Sequence, residues 1–234
     1  MLYVCIAFAI IVPYLICSIN PAIIVAKLKS GKDIRELGSG NPGLTNTLRT
    51  MGKSAAATVL LFDVLKGAIS IFAIMLFYSF INKNIIIIPT VGAVIGGIIV
   101  TEALYLCMWI GSLFAVLGHC FPIFYKFKGG KAALVTVASG LVINWLAALI
   151  ALTLFILIVA ITRYVSLGSM ISAVLYVVAV GLTEVFLWDN PAWYIGVIFC
   201  GSIALIIVLK HSENIKRLLN GTEKKLGKRE KIDG

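Results

Sequence analysis

The residues of this chain that can do chemistry fall in three short polar stretches separated by apolar sequence. The first, residues 29–54, reads KSGKDIRELGSGNPGLTNTLRTMGKS. It interleaves Gly38, Gly40 and Gly43 with Ser39, Asn41, Thr45 and Asn46, and Arg49 follows. Glycines permit tight turns whose successive N–H groups converge on one anion. Ser, Thr and Asn side chains add neutral donors, and arginine supplies a planar fork for phosphate oxygens. The combination suits a phosphate cradle, and a turn-rich loop carrying a few positive charges accounts for the same composition. A nucleotide-binding loop ending in Gly52-Lys53-Ser54 is excluded, because its first glycine would stand at position 47, which is Thr47.

The second stretch, GHCFPIFYKFKGGK at 118–131, places Gly129 and Gly130 in a turn directly before Lys131 and an apolar segment. Exposed N–H groups and a positive charge at a helix start again suit an anion. Lys126 and Lys128 are read as orientation signals, and His119 as either a proton-handling or a packing histidine. In the third stretch, HSENIKRLLNGTEKKLGKRE from residue 211, His211 and Asn214 are three apart and share a helix face. Two histidines in different stretches do not suggest a zinc site, and no nucleic-acid-binding module is recognisable. Asp63, Lys66, Glu102 and Glu184 stand within apolar sequence, where a lone charge is costly. Asp63 and Lys66, three apart, are expected to pair; Glu184 is either a transport site or a buried helix contact. Ser166, Gly168 and Ser169 are expected in a short break, RYVSLGSM, where they either close helices tightly or line a polar cleft.

The elements that must hold these stretches are membrane spans. The 234 residues are 61% hydrophobic and only 13% charged, with a mean hydropathy of +1.06. A soluble domain of this size needs more polar surface than that. Seven apolar segments, roughly 2–26, 54–79, 85–101, 103–118, 133–161, 165–187 and 191–209, predict an all-α polytopic membrane protein, since only helices satisfy their own backbone polar groups in lipid without closing a barrel. A single membrane-embedded domain, 1–234, with a basic tail at about 210–234, is expected. Of the 20 Lys and Arg residues, 17 lie in 27–53, 126–131 and 210–231, which puts these three regions in the cytoplasm and the amino terminus outside. Parity then demands five full crossings plus two short or re-entrant helices, one within 85–118 and one at the start of 133–161 around Asn144 and Trp145. The five cysteines show no paired short spacing and read as small hydrophobes. On these grounds alone a membrane enzyme, an organic-anion or phosphate-ester transporter and a membrane scaffold all remain open.

The three stretches, together with LLFDVLKGA and SLGSM, resemble in content and order the acyl-phosphate-dependent glycerol-3-phosphate acyltransferases of bacterial membranes, the PlsY family. The resemblance spans most of the chain. It implies a seven-helix inner-membrane enzyme that transfers a fatty acyl group from acyl phosphate to the 1-hydroxyl of glycerol 3-phosphate, releasing lysophosphatidate and inorganic phosphate. The partners it implies are those two substrates and membrane lipids; no cofactor, metal or obligate protein partner is expected. By motif, the catalytic roles fall to Ser39, Arg49, Lys131, His211 and Asn214. Substrate binding falls to Gly38, Gly40, Asn41, Gly43, Thr45, Asn46, Gly129, Gly130 and Ser169. Either His211 or a substrate phosphate serves as the base. The family commonly continues GGK with glycine, whereas this chain has Ala132, which does not suit a strongly positive φ.

Overall fold

In the computed structural model of the chain, residues 1–82, 89–90, 93–94 and 101–227 are described. The candidate span 85–101 therefore lies almost wholly outside the described residues; the antiparallel pairing of Pro89–Thr90 with Ala93–Val94 forms no layer. The rest is helical. The first span, Leu2–Ser30, consists of α1 (Leu2–Ser18) and α2 (Pro21–Ser30), joined at Asn20. The Asn20 side chain caps α2 by accepting from the Ile23 N–H at 3.1 Å, and Pro21 occupies the first helical position, where its missing N–H costs nothing. A short helix, α3 (Leu44–Met51), precedes α4 (Lys53–Asn82), and α5 (Glu102–Cys120) returns.

The segment 133–161 divides as its Asn144-Trp145 pair suggests. Helix α6 (Ala133–Ile143) stops at Asn144, whose side chain caps α7 (Trp145–Thr162) through the Ala147 N–H. Among the described residues six helices are long and apolar enough to cross a membrane, one more than the five full crossings expected. The reason is that 145–162 alone supplies 18 residues, about 27 Å at 1.5 Å per residue, close to the thickness of a bilayer core. Helix α6, with 11 residues, is the short one. The break in front of α8 (Val165–Leu182) also differs from expectation: the chain turns at Arg163, with φ 63°, and Ser166, Gly168 and Ser169 already lie in the first turns of α8. The Ser169 hydroxyl donates back to the Val165 carbonyl at 2.9 Å, which explains how a serine is accommodated there without breaking the helix. Helix α9 (Trp193–Lys210) leads into the eight-residue α10 (Ser212–Leu219).

Close helix contacts fix the bundle. Helix α1 lies against α5 so tightly that a side chain at Gly118 would run into the Tyr14 carbonyl, and a Cβ at Gly67 of α4 would come within 2.9 Å of Ala138 of α6. All five cysteines are buried and unpaired. Away from the polar loops, α8 ends in a π-helical turn, Thr183–Leu187. Glu184 in that turn is fully buried; its carboxylate accepts from Asn144 Nδ2 at 2.9 Å and from Asn190 Nδ2 at 2.6 Å. Of the two readings of Glu184, the structure thus favours the helix contact: it clamps the α6–α7 elbow to the far end of α8.

Candidate active site

At the opposite end of the bundle the three polar stretches close around one cavity of about 670 Å³. Thirteen of the fourteen candidate residues line it: Ser39, Arg49, Lys131, His211 and Asn214, with Gly38, Gly40, Asn41, Gly43, Thr45, Asn46, Gly129 and Ser169. Gly130 is the exception. A Cβ there would collide with the His119 ring, so its smallness serves packing beneath the cavity.

The first loop is held open by one side chain. Asn46, buried on α3, accepts the Ser39 N–H at 2.9 Å and donates to the Leu37 and Ile34 carbonyls at 2.8 and 3.3 Å. Its amide is therefore committed to the loop backbone, and Asn46 positions the cradle. Gly38 has φ 59°, and a Cβ there would strike Asn46 Oδ1, so glycine is required both for conformation and for the approach of that amide. The loop is tied to its neighbour by Arg35, which pairs with Asp33 at 2.7 Å and donates to the Tyr125 carbonyl at 3.0 Å.

The Gly129-Gly130 turn sits on buried charge. Gly130 N–H donates to the His119 carbonyl at 3.0 Å, and Gly129 N–H to that of Cys120 at 3.2 Å. Behind them Lys66 Nζ lies 3.0 Å from His119 Nδ1, donates to the Ile19 carbonyl at 2.9 Å and stands 2.8 Å from Asp63 Oδ1. The expected Asp63–Lys66 pair thus exists as an ion pair, and both Asp63 and His119 reach the cavity wall. Buried charges survive when they are compensated in this way. Ala132, just after Lys131, adopts φ 58°. A non-glycine residue there carries about 1–2 kcal/mol of left-handed strain. Ala132→Gly is expected to raise stability by up to about 1 kcal/mol, once the greater freedom of the unfolded glycine chain is subtracted, measured by thermal unfolding in detergent.

The third stretch carries the densest hydrogen bonding. Lys131 Nζ donates to Asn214 Oδ1; Asn214 Nδ2 donates to Glu223 Oε1 at 2.7 Å; Ser166 Oγ donates to the same oxygen at 2.6 Å; and Arg217 Nε donates to Glu223 Oε2 at 2.7 Å. Burial pushes the Glu223 carboxyl up, but the three donors outweigh it and hold the group below the ordinary carboxylate range. Burial, with Arg217 beside it, brings Lys131 down to about 8. His211 is brought down to about 4, first by burial and then by the charge of Lys131. Its Nδ1 lies 2.7 Å from the Ile207 carbonyl and must carry the proton there, so the neutral ring turns an unprotonated Nε2 to other partners. Arg49 donates to the Lys224 carbonyl at 3.0 Å, which brings the chain after α10 back across the cavity.

An apolar groove of about 60 Å³ adjoins this cavity between α6, α7 and α8. Ala133, Leu134, Phe155 and Ser169 line both spaces, so the groove and the basic chamber share a wall. Sequence reasoning left Glu223 out of the site although it lies within the third motif. It also left Asp63, His119 and Ser166 outside the site residues, although Asp63 had been singled out as a charge in apolar sequence, His119 as a proton-handling or packing histidine, and Ser166 as part of a short break between helices.

The fold and sequence of this chain are similar to those of known proteins. Crystal structures of PlsY, an integral membrane glycerol 3-phosphate acyltransferase, superpose on this chain. The glycerol 3-phosphate form has a TM-score of 0.73 with 30% identity over 95% of this chain and 96% of that one. The lysophosphatidic acid form has a TM-score of 0.70 with 28% identity over 95% of each. The glycerol-3-phosphate acyltransferases of Thermoanaerobacter sp. (strain X514) and Clostridioides difficile (strain 630) are each 38% identical to this chain; they cover 95% and 94% of it, matched over 96% and 94% of their own lengths. The model of the family described as glycerol-3-phosphate acyltransferase matches residues 7–221, a range that takes in the first two polar stretches and the start of the third, with His211 and Asn214, and the chain belongs to that family.

Proposed function

We propose that the protein transfers a fatty acyl group from an acyl phosphate to the 1-hydroxyl of sn-glycerol 3-phosphate, giving lysophosphatidate and inorganic phosphate for phospholipid synthesis. The observation that carries this reading is the shared wall between a basic chamber and an apolar groove. The reaction needs both: two anionic head groups must be brought together, and an alkyl chain must stay out of water.

In this reading Arg49 and Lys131 hold the phosphates, and their charge offsets that of the developing tetrahedral intermediate. The glycerol O1 attacks the acyl carbonyl carbon; the carbon–oxygen bond to phosphate breaks, and phosphate leaves with the electron pair. No protein nucleophile is needed, because the donor is already activated; Ser39 orients a reactant. The proton of O1 goes to a phosphate oxygen. His211, at about 4, is a weaker base than a phosphate monoester at about 6, and its free Nε2 is better suited to orienting the hydroxyl.

The setting we infer is a bacterial inner membrane, with the amino terminus outside and the carboxyl terminus in the cytoplasm. In support, the three basic stretches hold 17 of the 20 Lys and Arg residues and all meet at one end of the bundle. Cytoplasmic substrates would enter there.

The test supplies purified protein in lipid with acyl phosphate and glycerol 3-phosphate, and follows lysophosphatidate and released phosphate together. Equal amounts of both, lost without glycerol 3-phosphate and reduced by about tenfold or more in Arg49→Ala, are expected. A folded sample that makes no lysophosphatidate from any acyl chain length overturns the proposal.

A further inference from the structure

We infer that the apolar groove measures acyl chain length, with Tyr176 as its end stop and Ala173 as the residue that keeps it open. This rests on the function proposed above and goes beyond it to which chains the enzyme prefers.

The groove begins at the residues it shares with the basic chamber, Phe155 of α7 and Ser169 of α8. It runs along both helices as far as Ala148 and Tyr176. Seven residues along α8 separate Ser169 from Tyr176, a depth of about 10 Å at 1.5 Å per residue. Its walls exist because the facing residues are small: Ala148, Ala151 and Ala173 are buried and leave room that a larger side chain would fill.

The far end is closed differently. The Tyr176 ring is 4% exposed and lies across Gly140 of α6, where any Cβ would collide with its hydroxyl. That hydroxyl is buried beside the Cys200 thiol. The ring therefore blocks the groove. Beyond the stop, the Asn144–Glu184 clamp fixes α6 against α8, so the groove cannot lengthen by parting the helices. A chain that fits ends before Tyr176; a longer one must turn out between the helices toward lipid.

The experiment compares wild type, Ala173→Phe, Ala173→Leu and Tyr176→Ala in lipid with saturated acyl phosphates of increasing length, reading kcat/KM for each. Ala173→Phe is expected to lower kcat/KM for the longest chains by roughly tenfold or more relative to the shortest, because one methylene of misfit in an apolar pocket is already worth that much. Ala173→Leu shifts the optimum the same way by less, which covers the case in which the larger ring prevents folding. Tyr176→Ala moves the optimum toward longer chains. Profiles of folded Ala173→Phe and Ala173→Leu proteins that superimpose on an active wild type overturn the inference. A wild type inactive with every chain overturns the functional reading instead.

Discussion

Lys131→Ala is expected to lower kcat/KM for glycerol 3-phosphate by about 10² to 10³, the cost of losing one preorganised charge-stabilising donor. Lys131 lines the cavity and is held there by Asn214, whose Oδ1 accepts from its Nζ. A flexible surface lysine would spend part of its binding energy on being ordered; this one is ordered before substrate arrives. The same burial brings it down to about 8. Below that pH it is charged and able to hold phosphate, and above it the charge is lost. The kcat/KM profile should therefore fall as pH rises through about 8. Lys131→Arg, whose guanidinium stays charged, should lack that fall while having lower activity because the fork does not match an ammonium site. A wild-type profile flat from pH 7 to pH 10, in a range where the protein stays folded, would show that Lys131 does not bear the phosphate charge.

The contrast between what the chain disclosed and what it concealed follows from the range over which each property is determined. Ser39, Arg49, Lys131, His211 and Asn214 were identifiable because the three polar stretches are local sequence features and their resemblance to a family fixes their order. All five line the cavity. The roles within the stretches were less legible. Asn46 reads as a donor to substrate, but its amide is taken by Ile34, Leu37 and Ser39, all within its own loop. Gly130 reads as part of the anion nest, yet what demands glycine is a histidine from the preceding helix. A residue type says what a group can bond to; only the fold says which partner reaches it first.

The elbow at Asn144 and Trp145 was legible, but not that 145–162 is by itself long enough to cross. Hydropathy gives one continuous apolar run from 133 to 161, with no gap where α6 becomes α7. The elbow depends on Asn144, a single polar residue whose side chain caps the next helix and bonds to Thr183 and Glu184 from a segment 39 and 40 residues away. The sequence marks Asn144 as unusual, but its partner is fixed only when α8 packs beside α7. Ser166 and Ser169 were likewise misplaced into a break because the actual turn is made by Arg163 at φ 63°, a residue type with no turn signature.

Glu223→Gln is expected to reduce kcat/KM by about ten- to a hundredfold and, more tellingly, to move the alkaline fall of the profile below the wild-type pH. In the native protein this carboxylate accepts from Ser166, Asn214 and Arg217 at once. A glutamine offers one acceptor oxygen and an NH₂ group that must face one of those donors, so a partner is left unsatisfied and the Asn214 amide loses the contact that points its oxygen at Lys131. The charge change acts on the same lysine. Glu223 opposes the lowering of the Lys131 value that burial and Arg217 produce. Removing the carboxylate leaves Arg217 unopposed, and Lys131 should give up its proton at a pH lower than about 8. Loss of folding alone would reduce activity at every pH without moving the limb. A folded Glu223→Gln protein whose alkaline limb coincides with that of wild type would therefore break the link between the two residues. Restoration of that limb in Glu223→Asp would support the charge, since the shorter side chain keeps the carboxylate and loses only reach. The carboxylate in a cavity lined by cationic groups thus favours the protonated form of Lys131, against burial and Arg217.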